Sequence, residues 1–506
     1  MKSYLSFLLG MLVLTSCQSL SLPSSSSPSS SEPTVNLLPS AEYETFWQPS
    51  LKFIRLEMQH ETLRWIETYG SEKNNPNNDY YFPVTFHLEM NGITYTLPEV
   101  GIRQKGNIFS RGTFLNEEGE LTYPFHFRVS FDQTFDDPFY ESFGIQKSWK
   151  NGDPDYEVRQ RRRFFDMKSL EFKWNRSNDP SLINQPFASR LFNGHDVIAP
   201  QSTLSPITFD LPETSVNLGM YIINEAIDQT FLDRHFVGDH AQGDLYKVLY
   251  PINLVLDDVA YIDITTGTYV VKPWMVGVEN TLEGYHPVYD LKTNKSTSQH
   301  EPLLNLLKTL KSARLYQEED RLERLSSVVD ISSFLRYASV SFLNGNPDDM
   351  RNNTNNTYVY FDGVTQQATF IPYDNDWSLG VTWDEALTER IANKSPYNAT
   401  NSFDQTIVNP LYWLTLFYAD GSLQSQLYPL IPSLQTSFTQ HLITLKDSPY
   451  FTKNYYQTLM DAYQTHYETI HDTVTLPNPS NFVSMERFDY HHTQIQATLA
   501  TLTLSE

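Results

Sequence analysis

The chain has 506 residues, 40% hydrophobic and 14% aromatic, enough apolar mass for a large core and too much for a disordered chain. Its formal net charge of −24 excludes nucleic acid as a partner and a polybasic hold on anionic lipid, because both need an excess of Lys and Arg. The single cysteine, Cys17, excludes an intrachain disulfide and a Cys-based zinc site.

Residues 1–16 read as a signal peptide: Lys2 supplies a positive start, and Leu5 to Leu14 form an apolar run too short to span a bilayer. Leu14-Thr15-Ser16-Cys17 resembles a bacterial lipobox, which makes Cys17 the expected lipidation site and places the protein outside the cytoplasm, anchored to the cell membrane. Residues 17–40, rich in Ser and Pro, form a tether that cannot bury anything. Residues 41–79 are expected to be a helical segment split at Pro49, with Phe46, Leu51, Ile54, Met58 and Trp65 near helical spacing. A β-meander follows: VTFHLEM and ITYTL flank the hairpin signal Asn91-Gly92, and VGIRQKG reads as a third strand. Residues 114–160 read as an irregular insertion. SLEFKW (169–174) alternates as a strand, 183–194 are helical, TFDL and LGMYIINEAI are strands, and a helix runs from Gln229 to His235. Residues 302–343 are helical, a hairpin pairs YVYF with ATFIP, and the chain from Leu411 onward is mostly helical. A β-rich first half and a helix-rich second half make this an α+β chain. The adjacent pair His491-His492 points to opposite sides of a helix and is expected at the surface.

The chemistry concentrates around FLNGNPDDMRNNTNNTYVYFDG (342–363) and TFIPYDNDWSLG (369–380). Asp374 and Asp376 at i and i+2 after an apolar strand would converge on one spot, which is costly unless a cation lies between them. An isolated D-x-D is usually only a polar turn, so its surroundings decide. Upstream come Asp348 and Asp349, then Asn355, then a short hairpin, then Asp374. Phosphoryl transfer by a kinase needs this order of parts: an aspartate for the acceptor hydroxyl, an asparagine on the metal, and a second aspartate on the metals that bridge the phosphates. Asp349 is the candidate catalytic aspartate and Asp374 the candidate metal ligand, with Asp376 beside it. Cations for phosphate are offered by GIRQKGNIFSRG (101–112), with Arg103, Lys105, Gly106, Asn107 and Ser110. Lys173 on the SLEFKW strand needs a charged partner, and Glu225 at the end of another apolar strand is the expected one, as in the Lys–Glu pair of kinases.

These residues resemble the CotH kinase family, named for spore coat protein H. The loop Arg103-Gln104-Lys105-Gly106-Asn107, the strand Lys168 to Trp174, Gly219-Met220-Tyr221 through Glu225, Leu245-Tyr246-Lys247, Leu291-Lys292-Thr293-Asn294, Asn346 to Tyr360 and Ile371 to Gly380 stand in the family's order over roughly residues 80–420. The remaining C-terminal part, 421–506, would extend a helical lobe. The resemblance implies a divergent two-lobed protein-kinase-like fold, with a β-rich N-terminal lobe and a mainly helical C-terminal lobe. It also implies transfer from ATP, with Mg²⁺ or Mn²⁺, to Ser or Thr of a protein substrate. Lys173 would then contact nucleotide phosphate, Lys247 would line the nucleotide site, and Asn355 or Asn356 would assist the metal. The chain departs from the pattern in three places: Tyr373 stands where the family has tryptophan, the first loop reads GNIFS rather than GNSS, and Asp348-Asp349 is doubled. The main alternative is a non-catalytic surface lipoprotein that keeps the fold for binding or assembly. A weaker one, suggested by the many Tyr and Trp, is a metal-dependent carbohydrate-binding module.

Overall fold

A computed structural model of the chain describes residues 40–69, 80–106, 113–145, 152, 155–174, 182–248, 258–263, 269–273, 285–287, 289–313, 318–350, 356–380, 399–400, 406–407, 432–467 and 486–503. The signal peptide, most of the tether, Cys17, Asn107, Ser110 and Asn355 lie outside the described residues. Among those described, no helix is long and apolar enough to cross a membrane.

Helix α1 (Ala41–Trp47) is capped by Ser40, whose hydroxyl accepts from the Tyr43 amide. The expected helix across 51–58 is instead a strand, β1 (Lys52–Glu57), and α2 (His60–Tyr69) follows it. KFIRLE buries alternate residues, Lys52, Ile54 and Leu56, so period 2 overrides the weak helical spacing. Strands β2 (Phe82–Met90) and β3 (Ile93–Gln104) form the hairpin expected at Asn91-Gly92, and Asn91 takes a positive φ of 54°. Val100–Gln104 is not a third strand. It continues β3 past an irregularity between Val84 and Phe86 in the pairing with β2. Nor is 114–160 merely an insertion: it supplies β4 (Phe127–Ser130), then α3 (Tyr156–Gln160).

β5 (Ser169–Trp174), helix α4 (Asn184–Asn193), and the hairpin β6 (Ser202–Leu211) and β7 (Thr214–Glu225) follow as expected. The seven strands close into a barrel in the order β1-β2-β3-β4-β5-β7-β6, with β6 joined to β1 in parallel. The barrel therefore begins at residue 52, well before the expected boundary at 80. Its interior is packed with aromatic and aliphatic side chains, including Phe86, Phe127, Phe172 and Tyr221. Phe127 and Phe172 stack with centroids 4.5 Å apart.

Helix α5 (Gln229–His235) runs over the residues expected, and β8 (Leu245–Val248) comes next. Strands β9 (Asp258–Asp263), β10 (Tyr269–Pro273) and β11 (Tyr285–Pro287) form a small sheet. β12 (Tyr289–Leu291) and the hairpin β13 (Thr357–Phe361) and β14 (Ala368–Pro372) join β8 in a sheet ordered β12-β8-β13-β14. Helices α6 (Glu301–Ala313), α7 (Glu318–Val328) and α8 (Ile331–Asn344) resolve the expected helical stretch into three. α9 (Pro432–Leu445), α10 (Lys453–Tyr467) and α11 (Glu486–Ala500) pack with α4 and α8 into a second core.

The end of α8 carries most of the positional information. Gly345 closes it at φ 63°, and its amide donates to the Ser341 carbonyl. A β-carbon at Gly345 would lie 2.1 Å from His491 Cε1. His491 is not at the surface: it is 1% exposed, and its Nε2 lies 2.9 Å from the Leu343 carbonyl. His492 is half-buried and stacks on Phe488. Gly345→Ala combines left-handed strain with this overlap and should cost about 3 kcal/mol, read as a lowered urea midpoint with an unchanged denaturant slope.

Candidate functional site

The site forms where the outer face of β3 and β5 meets the segment leaving β14. On β5, Leu170 and Phe172 point into the barrel, so Glu171 and Lys173 share the opposite face. The amine of Lys173 meets Asp374 Oδ1 and lies 2.8 Å from Asp376 Oδ2. The two aspartates do converge on one cation, as their spacing suggests, but by a different route. Asp374 is past the end of β14, at φ 58°. Asn375 between them turns inward: it is 3% exposed, and its Oδ1 accepts from Asn344 Nδ2 and Asn346 Nδ2, both at 3.2 Å. Its amide donates to Gln185 Oε1. Anchoring the middle residue throws both carboxylates to the other side. Burial works against the charges on Lys173 and Asp374, but their mutual attraction wins: the lysine pKa is raised and the aspartate pKa lowered.

Glu225 does not pair with Lys173. In the β5–β7 register it stands opposite Leu170, on the other face of the sheet, where it meets Arg234 and accepts from Tyr43 Oη at 2.9 Å and the Gln201 amide at 3.1 Å. A buried Lys–Glu pair near the acids is Lys105, one residue past the end of β3, with Glu171 on β5. Tyr373 joins it: its hydroxyl donates to Glu171 Oε2 at 3.0 Å and accepts from Lys105. Burial would raise Glu171, but Lys105 and Arg128 hold it at about 2. Burial drives Lys105 down to about 8 despite Glu171. The pair is therefore charged at neutral pH. Lys247, on β8, rests its amine 4.9 Å from the centre of the Tyr373 ring, and burial lowers its pKa. Arg103 is 9% exposed and stacks on Tyr81 at 5.1 Å. Gly106 follows Lys105 at φ 125°.

The two neighbouring aspartates part company. Asp349 is 3% exposed and close enough to Tyr337 on α8 to help raise that phenol's pKa, after burial itself. Asp348 is half-buried, and Asn356 donates to its carbonyl at 3.0 Å and its Oδ2 at 2.9 Å. Asn346 ties this loop to the other acids by donating to the Asp374 carbonyl at 3.3 Å. Asn356 thus uses its amide on Asp348, while its carbonyl accepts from the Tyr373 amide at 3.0 Å.

Among the described residues, no group of three or more His, Cys, Asp or Glu is arranged to hold a metal ion alone. Two carboxylates that already share a cation nonetheless suit Mg²⁺ or Mn²⁺, which take one or two carboxylates and complete their shell with water and phosphate oxygens. The residues fit a shared site, not an all-protein cage.

A strand barrel and a helical core, with paired lysines and acids at the site, define a chain of mixed α and β structure. The family described as CotH kinase protein matches residues 140–470, and the chain belongs to the CotH kinase family. The match starts and ends later than the 80–420 read from motifs. A crystal structure of the Helicobacter pylori proinflammatory kinase CtkA is similar at 10% identity, covering 66% of this chain and 87% of that one, with a TM-score of 0.27. A likeness that distant carries no argument about activity. No curated protein matches the chain.

Sequence reasoning missed His491, although Phe488, Ile495 and Leu499 share its face at helical spacing and are all buried. Burial holds its pKa at about 4. The unfolded chain would then bind a proton between about pH 6.5 and 4 that the native state refuses, so stability falls on acidification through that window. The loss is at most about 1.4 kcal/mol per pH unit. Urea titrations at pH 7 and 4.5 should show a smaller loss in His491→Gln, which keeps an N–H donor but cannot titrate.

Proposed function

We propose that the chain is an ATP- and divalent-metal-dependent protein Ser/Thr kinase whose barrel and helical core act as the two lobes of a kinase-like fold. The observation that carries this reading is the convergence of Asp374 and Asp376 on Lys173, beside the Lys105–Glu171 pair and within one hydrogen-bonded step of the Asp348 loop. Asp374 and Asp376 would hold Mg²⁺ or Mn²⁺, which supplies charge neutralisation to the phosphates of ATP. Lys105, aimed by Glu171 and Tyr373, and Lys247 provide positive charge where phosphates would approach. Tyr373 takes over the place of the family's tryptophan as a ring under two ammonium groups and adds a hydroxyl that aligns Glu171.

For the base that orients the acceptor hydroxyl, geometry favours Asp348 over Asp349. A base must reach the reacting hydroxyl. Asp348 is half-buried and aimed by Asn356, whereas Asp349 is sunk beside Tyr337. Extracytoplasmic anchoring through Cys17 and a substrate among envelope or surface proteins belong to the same proposal. One observation favours the non-catalytic reading: Lys173 already neutralises both acids.

The readings separate in a phosphate-transfer assay. Asp348→Asn should keep nucleotide binding and lose about 10²- to 10⁴-fold in transfer. Asp374→Asn should lose metal-dependent nucleotide binding, and Asp349→Asn should lose stability more than turnover per folded molecule. Transfer unaffected by Asp348→Asn but abolished by Asp349→Asn would reverse the assignment. A wild-type chain that shows no melting shift with ATP and Mn²⁺ would leave only the binding reading; a ligand at one hundred times its Kd should add about 2.7 kcal/mol.

A further inference from the structure

The three lysines of the site are not equivalent. Lys105 is held by Glu171 and the Tyr373 hydroxyl. Lys247 lies on the Tyr373 ring, within the electrostatic reach of Glu171 and Asp374. Lys173 alone sits between the two carboxylates that would hold a metal, against Asp374 Oδ1 and 2.8 Å from Asp376 Oδ2. Its amine supplies the charge those acids need: two carboxylates this close could not both stay ionised without a cation between them. It also repels any divalent ion that approaches the same oxygens. Lys173 is one residue from the end of β5, on a long flexible stem, so its head can move without shifting the strand. It gives up two carboxylates at little cost only if another anion receives it. A triphosphate entering with its metal is such an anion, and a bare metal ion is not.

We propose that Lys173 is a built-in counter-ion for Asp374 and Asp376, closing the site to free divalent metal and yielding it to a metal–nucleotide complex whose phosphates take over the ammonium. The proposal rests on the kinase reading above and adds to it an order of events: metal and nucleotide bind as one ligand. Lys173 would thereby also keep the acids positioned when nothing is bound. This is a role for the lysine itself, apart from any contact it makes during transfer.

Mn²⁺ binding to the full chain, followed by the electron paramagnetic resonance of the free ion, tests this without any turnover. The wild type should bind Mn²⁺ weakly alone, and at least tenfold more tightly with the non-hydrolysable analogue AMP-PNP. Lys173→Met should bind Mn²⁺ alone at least tenfold more tightly than the wild type, and adding Asp374→Asn should abolish that gain. Lys173→Gln, which keeps a donor amide between the acids, should show the same direction and serves if the Met variant does not fold. Neutral variants that bind Mn²⁺ alone no better than the wild type, while the wild type still takes Mn²⁺ with AMP-PNP, would overturn the counter-ion role and leave the kinase reading standing. No Mn²⁺ binding in any form, with or without AMP-PNP, would overturn both.

Discussion

A helix that ends inside a protein leaves carbonyls that water cannot reach, and each must find a donor or cost about 1–3 kcal/mol. Helix α8 ends this way. The Leu343 carbonyl is met by His491 from α11, the Asn344 carbonyl by the Leu379 amide at 2.7 Å, and the Gly345 carbonyl by the Gly380 amide at 2.9 Å. Two distant stretches of chain are thus pinned to one helical turn by an obligation of the backbone. Asn346 to Asp348 leave from that turn, and Asp374 to Asp376 precede Leu379. Both sets of acids take their positions from the same three carbonyls, and none of the three donors is itself a reactive group.

The asparagines extend this logic to side chains. Asn344 and Asn346 both donate to the buried Asn375 Oδ1, and Gln185 from α4 accepts from the Asn375 backbone amide. A buried amide is costly unless its donors and acceptors are met, so such a network tolerates few alternative arrangements. The left-handed backbone at Asn356, Asp374 and Leu379 sits around it. Local strain of this kind persists only where the surroundings over-determine it, and here they do. The D-x-D pattern gains a reason in its middle residue: Asn375 faces inward so that the two acids face out.

Much of this was legible where the local period is strong. SLEFKW, the β13–β14 hairpin and α5 have one dominant pattern each, and the structure follows it. β1 was not legible, because Leu51, Ile54 and Met58 satisfy helical spacing while Ile54, Leu56 and Met58 satisfy a strand; closing the barrel between β2 and β6 decides the contest. β4 is too short to stand out from the irregular chain on either side. The Lys173–Glu225 pairing failed for a reason no single strand contains. Which face Glu225 occupies depends on its register against β5, and the true partner of a nearby carboxylate, Lys105, arrives from two strands away. The convergence of Asp374 and Asp376 was visible as a need for a cation, but the identity of that cation was not.

Charge balance sets what the cluster can accept. Lys105, Lys173 and Lys247 face Glu171, Asp374 and Asp376, with Tyr373 as the common surface between them, and Arg128, also near Glu171, is balanced by Asp228. Positive and negative groups match, so the cluster is stable at low dielectric with nothing added, as an unmatched set of buried charges would not be. Any ligand that enters must therefore bring most of its own compensation. A free dication would leave excess positive charge beside three ammonium groups, and a free polyphosphate would crowd the carboxylates. Under the proposed reading, a metal–polyphosphate complex would meet both sides at once, its metal held by the aspartates and its phosphates by the lysines. The charge balance that stabilises the cluster is also what would make it selective.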